Sequence, residues 1–153
     1  MSKKKLEFSL SIPALAEYVG VVRLAISGIA TRMNFTIDEI EDIKISISEA
    51  CTNAIQHAYG DNTNPEEDKI DIKVYIIDND LEIIVKDFGS GFNLSILGTK
   101  EQKEKSKAKM GLGLGLTFIK SLMDKTNFKS TIGQGTEIKM QKTSQNIKSQ
   151  SVA

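Results

Sequence analysis

Residues Lys69–Gly89 read KIDIKVYIIDNDLEIIVKDFG. Two runs rich in β-formers meet at Asp78-Asn79-Asp80, a cluster of turn residues. That arrangement predicts a β-hairpin. Neighbouring strands joined by a short turn run antiparallel, so the sheet is not built from strict βαβ units.

The flanks extend the pattern in both directions. Leu6–Ile12, LEFSLSI, alternates apolar and polar residues as a half-buried strand does, and Pro13 closes it. From Ala14 to about Met33, Leu15, Val19, Val22, Ile26 and Ile29 recur at helical spacing. Thr36 with Glu39 reads as a capping box, and the second helix is expected over Ile37–Ala58. Asp61–Asp68, DNTNPEED, is a loop by composition.

Gly89–Lys109 lacks periodicity and is rich in Gly, Ser and Lys, a loop long enough to be a lid. A third helix is expected from Leu112 to about Thr126. NFKSTI and GTEIKMQ then form a closing hairpin across Gly133-Gln134. The element order β-α-α-β-β-lid-α-β-β predicts an α+β fold of two layers. Its sheet is expected to be mixed but mostly antiparallel, with helices on one face. The reading is one domain over residues 1–141, with a disordered tail over 142–153, where apolar content is low.

Composition limits the function classes. Twenty Lys plus Arg balance twenty Asp plus Glu, so bulk charge draws the protein to neither nucleic acid nor an anionic membrane. The lysines at 3–5 and between 100 and 109 read as solvated segments. The single Cys51 rules out an intrachain disulfide and fits a reducing compartment. No stretch resembles a signal peptide or a membrane span, so a cytoplasmic location is expected.

On the second helix, Ile40, Ile43, Ile47, Ala50, Ala54 and Ala58 project onto one stripe, the predicted core face. Asp42, Ser46, Glu49, Asn53, Gln56 and His57 project to the opposite side. Glu49 and Asn53 stand one turn apart. Such a pair is ordinarily just solvated surface, but it also has a chemistry. The carboxylate can position a nucleophile, and the amide oxygen is a hard ligand suited to Mg²⁺. His57 reads as structural with a possible part beside them, and Cys51 as a small packed residue.

Asp87 ends the second hairpin strand and is followed by Gly89 and Gly91. A carboxylate there can accept a hydrogen bond from an exocyclic amine, and the glycines allow close approach to a planar base. An ordinary Asp turn has the same residues. Gly111, Gly113 and Gly115 stand at alternate positions ahead of the third helix. Glycines so placed can expose N–H groups to an anion, although the spacing is not that of a dinucleotide loop. Leu112, Leu114 and Leu116 alternate with them, so one side is expected to pack while the other stays bare.

Taken in order, ISEACTNAIQHAYG, DFGSG, GLGLGL and GQGT closely resemble the ATP-binding domain shared by gyrase, Hsp90-type chaperones, histidine kinases and MutL, the GHKL superfamily with its Bergerat fold. Within it, residues of about 6–140 resemble the bacterial anti-sigma-factor serine-protein kinases. The segments EFS, EYVGVVRLAISGIA, DEIEDIKISISEACTNAIQHAYG and SLMD carry this narrower likeness. The resemblance implies ATP and Mg²⁺ as cofactors, Glu49 as catalytic base and Asn53 as Mg²⁺ ligand. It implies that Asp87 binds the adenine amine, that Gly89 and Gly91 shape the base pocket, and that residues 92–110 form the ATP lid. Gly111, Gly113 and Gly115 would line the phosphate end, and Thr136 would support the nucleotide.

Arg23 matches a position that contacts protein partners. The implied partners are a sigma factor, a STAS-type anti-anti-sigma protein as phosphorylation substrate, and a second copy in a homodimer. The lysine-rich lid departs from close relatives. Two other readings stay open: a nucleotide-binding regulatory module that transfers nothing, and a stand-alone ATPase or histidine-kinase-like domain. The chain's length is expected to leave no room for a phosphoacceptor helix pair, which disfavours the histidine-kinase form.

Overall fold

The computed structural model describes residues 5–59, 63–91 and 107–145, the side chains of 58 and 107–113 excepted. The elements are β1 (Lys5–Pro13), a short 3-10 turn (Ala16–Tyr18), α1 (Val19–Arg32), α2 (Ile37–Asn53) and a π-helical turn (Ala54–Tyr59). Then come β2 (Lys69–Ile77), β3 (Asp80–Asp87), α3 (Lys107–Leu122), β4 (Lys125–Thr131) and β5 (Gly135–Thr143).

Five strands form one sheet in the order β1-β2-β3-β5-β4. Every neighbouring pair is antiparallel, so the parallel element expected of a mixed sheet is absent among the described residues. The β2–β3 hairpin lies where the sequence placed it, with Asp78 at φ 54° in its turn. Asp is one of the few non-glycine residues that tolerate that region.

Period-2 alternation puts one side of the sheet against the helices. Ile70, Ile72 and Val74 of β2, Leu81, Ile83 and Val85 of β3, and Ile138 and Met140 of β5 are buried. They meet Val22 and Ile26 of α1, Ile43, Ile47 and Ala50 of α2, and Ile119 of α3 in one cluster. Ile40 packs at the margin of this cluster, and Cys51 lies fully inside it. Burial pushes the Cys51 thiol up to about 12, so it is inert packing.

Helix α2 starts where the sequence predicts. The Thr36 hydroxyl accepts from the Glu39 N–H at 3.1 Å, and the Glu39 carboxylate accepts from the Thr36 N–H at 2.8 Å. Asp38 and Glu39 in the first turn also suit the helix dipole. The helix then continues as the π turn to Tyr59, so helical backbone covers the whole predicted span.

Two expectations change. The third helix begins at Lys107, not Leu112, because Lys107, Ala108, Lys109 and Met110 are good helix formers. Gly111, Gly113 and Gly115 therefore lie inside α3 and not ahead of it, and the last four residues of the expected lid are helical. The leucine alternation fails for the same reason. At about 100° per residue, alternate positions do not share a helix face, and Leu116 is buried while Leu114 is 65% exposed. The helix also stops at Leu122, four residues short of Thr126, and the backbone turns into β4.

At the other end β5 runs to Thr143. Lys142 is buried and donates to the Leu122 carbonyl at 2.6 Å, and the Ser144 N–H donates to the Asn79 carbonyl at 2.8 Å. The start of the expected tail thus belongs to the sheet. Residues 146–153 and the lid residues 92–106 lie outside the described residues.

Candidate functional site

The predicted polar face of α2 does not face water throughout. Helix α3 packs over it, and Ser46 and Asn53 are buried. Glu49, one turn before Asn53, stays half-exposed at the edge. The contact between the helices is close at one residue. A Cβ placed on Gly115 would stand 3.0 Å from Asn53 Oδ1 and 3.2 Å from both Asn53 Nδ2 and Glu49 Oε2. Glycine at 115 therefore leaves the room in which the carboxylate and the amide sit together. Asn53 Nδ2 has no hydrogen-bond partner among the described residues. A buried amide left half-satisfied costs stability, and such an orphan is a mark of a site that a ligand completes.

The second cluster forms where the sheet ends. Asp87 is 5% exposed, and its Oδ1 accepts from the N–H groups of Gly89 and Thr136, each at 3.1 Å. Both of these hydrogen bonds use Oδ1, which leaves Oδ2 for an external donor. Burial raises the Asp87 carboxyl above its ordinary value, against the opposing pull of those two N–H groups and of Lys86.

Glycine is required on both sides of this carboxylate. Gly91 has φ +69°, and a Cβ there would collide with the Thr131 carbonyl. Gly135 has φ +92°, and its Cβ would collide with the carbonyl of Asp87. The Gly133 N–H donates to the Ser90 carbonyl at 2.6 Å, which ties the DFGSG segment to the β4–β5 turn. Thr136 is buried, with its hydroxyl 2.8 Å from that of Ser130. Its visible work is to hold Asp87.

Arg23 of α1 comes close to Glu49. An open groove of about 450 Å³ between α1 and α2 is lined by Arg23, Glu41, Lys44, Ile45, Ser48 and Glu49. Arg23 donates to the Ser48 hydroxyl at 3.3 Å, and Lys44 pairs with Glu41 at 3.0 Å. Glu49 thus borders this groove on one side and the Asn53–Gly115 notch on the other. His57 lies in the π turn, half-buried, and burial lowers its imidazole below the ordinary value.

The structure therefore gathers Glu49, Asn53 and Gly115 in one place and Asp87, Gly89, Gly91 and Thr136 in another. The side chains around Gly111 and Gly113 lie outside the described residues. Two participants escaped the sequence reading. Gly135 was read as strand, although its place in GQGT was a signal. Tyr59, at the end of the ISEACTNAIQHAYG segment, ties the end of the π turn to the sheet through hydrogen bonds to Lys69 and Phe88, a role its sequence position does not reveal.

A model of the histidine kinase-like ATPase domain matches residues 12–142. The chain is 41% identical over 128 residues to the serine-protein kinase RsbW of Bacillus velezensis, covering 81% of this chain and 78% of that protein. It is 39% identical over 134 residues to the serine-protein kinase RsbW of Bacillus licheniformis, covering 85% and 81%. The solved RsbU and RsbW domains of a Mycobacterium tuberculosis protein align over 91% of this chain and 32% of theirs. There the TM-score is 0.65 at 17% identity, a likeness of fold.

The geometry predicts two outcomes. Gly115→Ala adds helix propensity of about 1 kcal/mol but crowds Asn53 and Glu49. Thermal unfolding should shift by no more than that amount, while affinity for a fluorescent ATP analogue falls about tenfold; unchanged affinity would reduce Gly115 to helix packing.

Asp87→Asn keeps an acceptor for both N–H groups without the buried charge. A raised folded pKa contributes stability in acid, below the ordinary value of 3.8, and loses it as pH rises through the folded value. The variant should therefore gain on the wild type in urea unfolding as pH climbs from acid, then hold a level advantage near neutrality. A gap that stays constant across that range would contradict the buried-carboxyl account.

Proposed function

This chain belongs to the histidine kinase-like ATPase domain family, and we propose that it is an ATP-dependent serine/threonine-protein kinase that also serves as an anti-sigma factor. It phosphorylates a STAS-type anti-anti-sigma protein and sequesters a sigma factor, working in the cytoplasm as a homodimer. Among the described residues no helix is long and apolar enough to cross a membrane. The observation that carries the reading is the position of Glu49. It stands beside the buried Asn53 amide under Gly115 and also lines the groove that holds Arg23. The names of the relatives support the serine-kinase activity.

Asp87 Oδ2 accepts a hydrogen bond from the adenine amine of ATP, and Gly89 and Gly91 let backbone approach the base. Asn53 Oδ1 is the oxygen that fits Mg²⁺. Among the described residues no cluster of three or more acidic, His or Cys side chains could hold a metal. That suits an ion whose remaining ligands are water and phosphate oxygens. When bound, Mg²⁺ supplies charge neutralisation across the phosphates. Gly111, Gly113 and Gly115 place α3 at the phosphate end, with residues 92–106 as the lid.

The acceptor hydroxyl arrives through the groove, the opening that Glu49 shares with Arg23. Glu49 takes the hydroxyl proton while the hydroxyl oxygen bonds to the γ-phosphorus. The bond from that phosphorus to the bridging oxygen breaks, and ADP leaves. Phosphoryl transfer of this kind asks mainly for positioning and electrostatics, so few side chains are needed.

A general base typically contributes about 10²–10⁴-fold. Glu49→Gln should lose that much phosphoryl transfer to a STAS partner and keep ATP affinity, whereas Asn53→Ala should weaken Mg²⁺-dependent ATP binding in calorimetry. Full kinase activity in Glu49→Gln would remove Glu49 as the base, and absence of acid-stable phosphoserine on the partner with wild-type protein would remove the kinase reading.

A further inference from the structure

The β2–β3 ladder ends abruptly. Its last pair on this side is Ile70 with Asp87, and one further step would set Lys69 opposite Phe88. These two residues do not close on each other. The Tyr59 hydroxyl stands between them, donating to the Lys69 carbonyl at 2.6 Å and accepting from the Phe88 N–H at 2.8 Å. A phenol has one proton to donate and lone pairs to accept with, so one hydroxyl satisfies both strand ends. Burial raises the Tyr59 hydroxyl above its ordinary value, which keeps the proton that Lys69 receives.

The residues released by this interruption are those of the second cluster. Phe88 directly follows Asp87, and the Gly89 N–H turns back onto Asp87 Oδ1. Ser90 then meets Gly133, and Gly91 lies against Thr131. Tyr59 itself closes the π turn that begins one residue after Asn53. Such turns are rare, and they recur at functional sites because they re-aim the side chains that follow.

We propose that Tyr59 is a positioning residue for nucleotide recognition: its hydroxyl ends the β2–β3 ladder at Asp87 and so sends Phe88–Gly91 across to the β4–β5 turn, where the base pocket forms. The proposal rests on the reading that Asp87 receives the adenine amine. Without the hydroxyl, the Lys69 carbonyl and the Phe88 N–H, which face each other at the next step of the register, bond directly. The ladder lengthens by one pair, and the segment that carries Gly89 is drawn back to the sheet.

Tyr59→Phe in the full chain tests this. The dissociation constant for ATP should rise about tenfold, the order expected for losing a hydrogen-bonded arrangement. Phosphoryl transfer at saturating ATP should stay near the wild-type rate, because Glu49 and Asn53 are untouched. The preference for ATP over GTP should narrow, since Asp87 is the group that tells an exocyclic amine from a carbonyl. Unchanged ATP affinity and an unchanged ATP/GTP ratio would overturn the proposal, as would an equal loss of affinity for both nucleotides.

Asp87→Asn separates this from failure of the underlying reading. If the wild type shows no ATP preference, or if Asp87→Asn binds ATP as well as the wild type, the adenine assignment has failed. Should Tyr59→Phe not fold, a fluorinated tyrosine at 59 keeps the shape and weakens the acceptor. It should shift ATP affinity the same way by a smaller factor, and no shift would overturn the proposal.

Discussion

Helix α2 is covered on two sides, and the candidate site exists because one of those sides is polar. Ile43, Ile47 and Ala50 bury in the core, while Asn53 buries beneath Gly115 of α3. An apolar contact with α3 would have been more stable, since Asn53 Nδ2 is left without a partner among the described residues. That loss of stability fits the ligand role proposed for Asn53. Gly115 permits the arrangement, because a side chain there would occupy the space between Asn53 and Glu49.

The strand ends follow the same logic. Asp87 sits 5% exposed and held by two N–H groups, and close backbone approaches at Gly91 and Gly135 hold the segment around it. Burial works against the charge of this carboxylate, and the fold tolerates it because the surrounding backbone is locked by the β4–β5 turn. Tyr59 connects this end of the sheet to the end of α2. The π turn that follows Asn53 thereby reaches the strand end that carries Asp87.

Much of the architecture was legible from local chemistry. The hairpins at Asp78-Asn79-Asp80 and Gly133-Gln134, the Thr36–Glu39 box and the stripe from Ile40 to Ala54 follow from turn residues, capping and periodicity, which act over a few residues. Family likeness supplied roles for Glu49, Asn53 and Asp87 that spacing alone left open, and the relatives found agree with that family. The glycines point to a helix start at Leu112, but the four helix formers before them carry α3 back to Lys107. The Leu112–Leu114–Leu116 alternation does not mark a packed side, because alternate residues of a helix point about 200° apart.

The sequence by itself determined the two hairpins, the first two helices and the residue types available for chemistry, since each depends on near neighbours along the chain. Only the tertiary structure decided that Ser46 and Asn53 are buried, that Gly115 faces Asn53 and Glu49, that Arg23 shares a groove with Glu49, and that Tyr59 splits the end of the β2–β3 ladder. These contacts join residues between 10 and about 60 positions apart. Which face of a helix meets another helix is a matter of packing, and no local pattern encodes it.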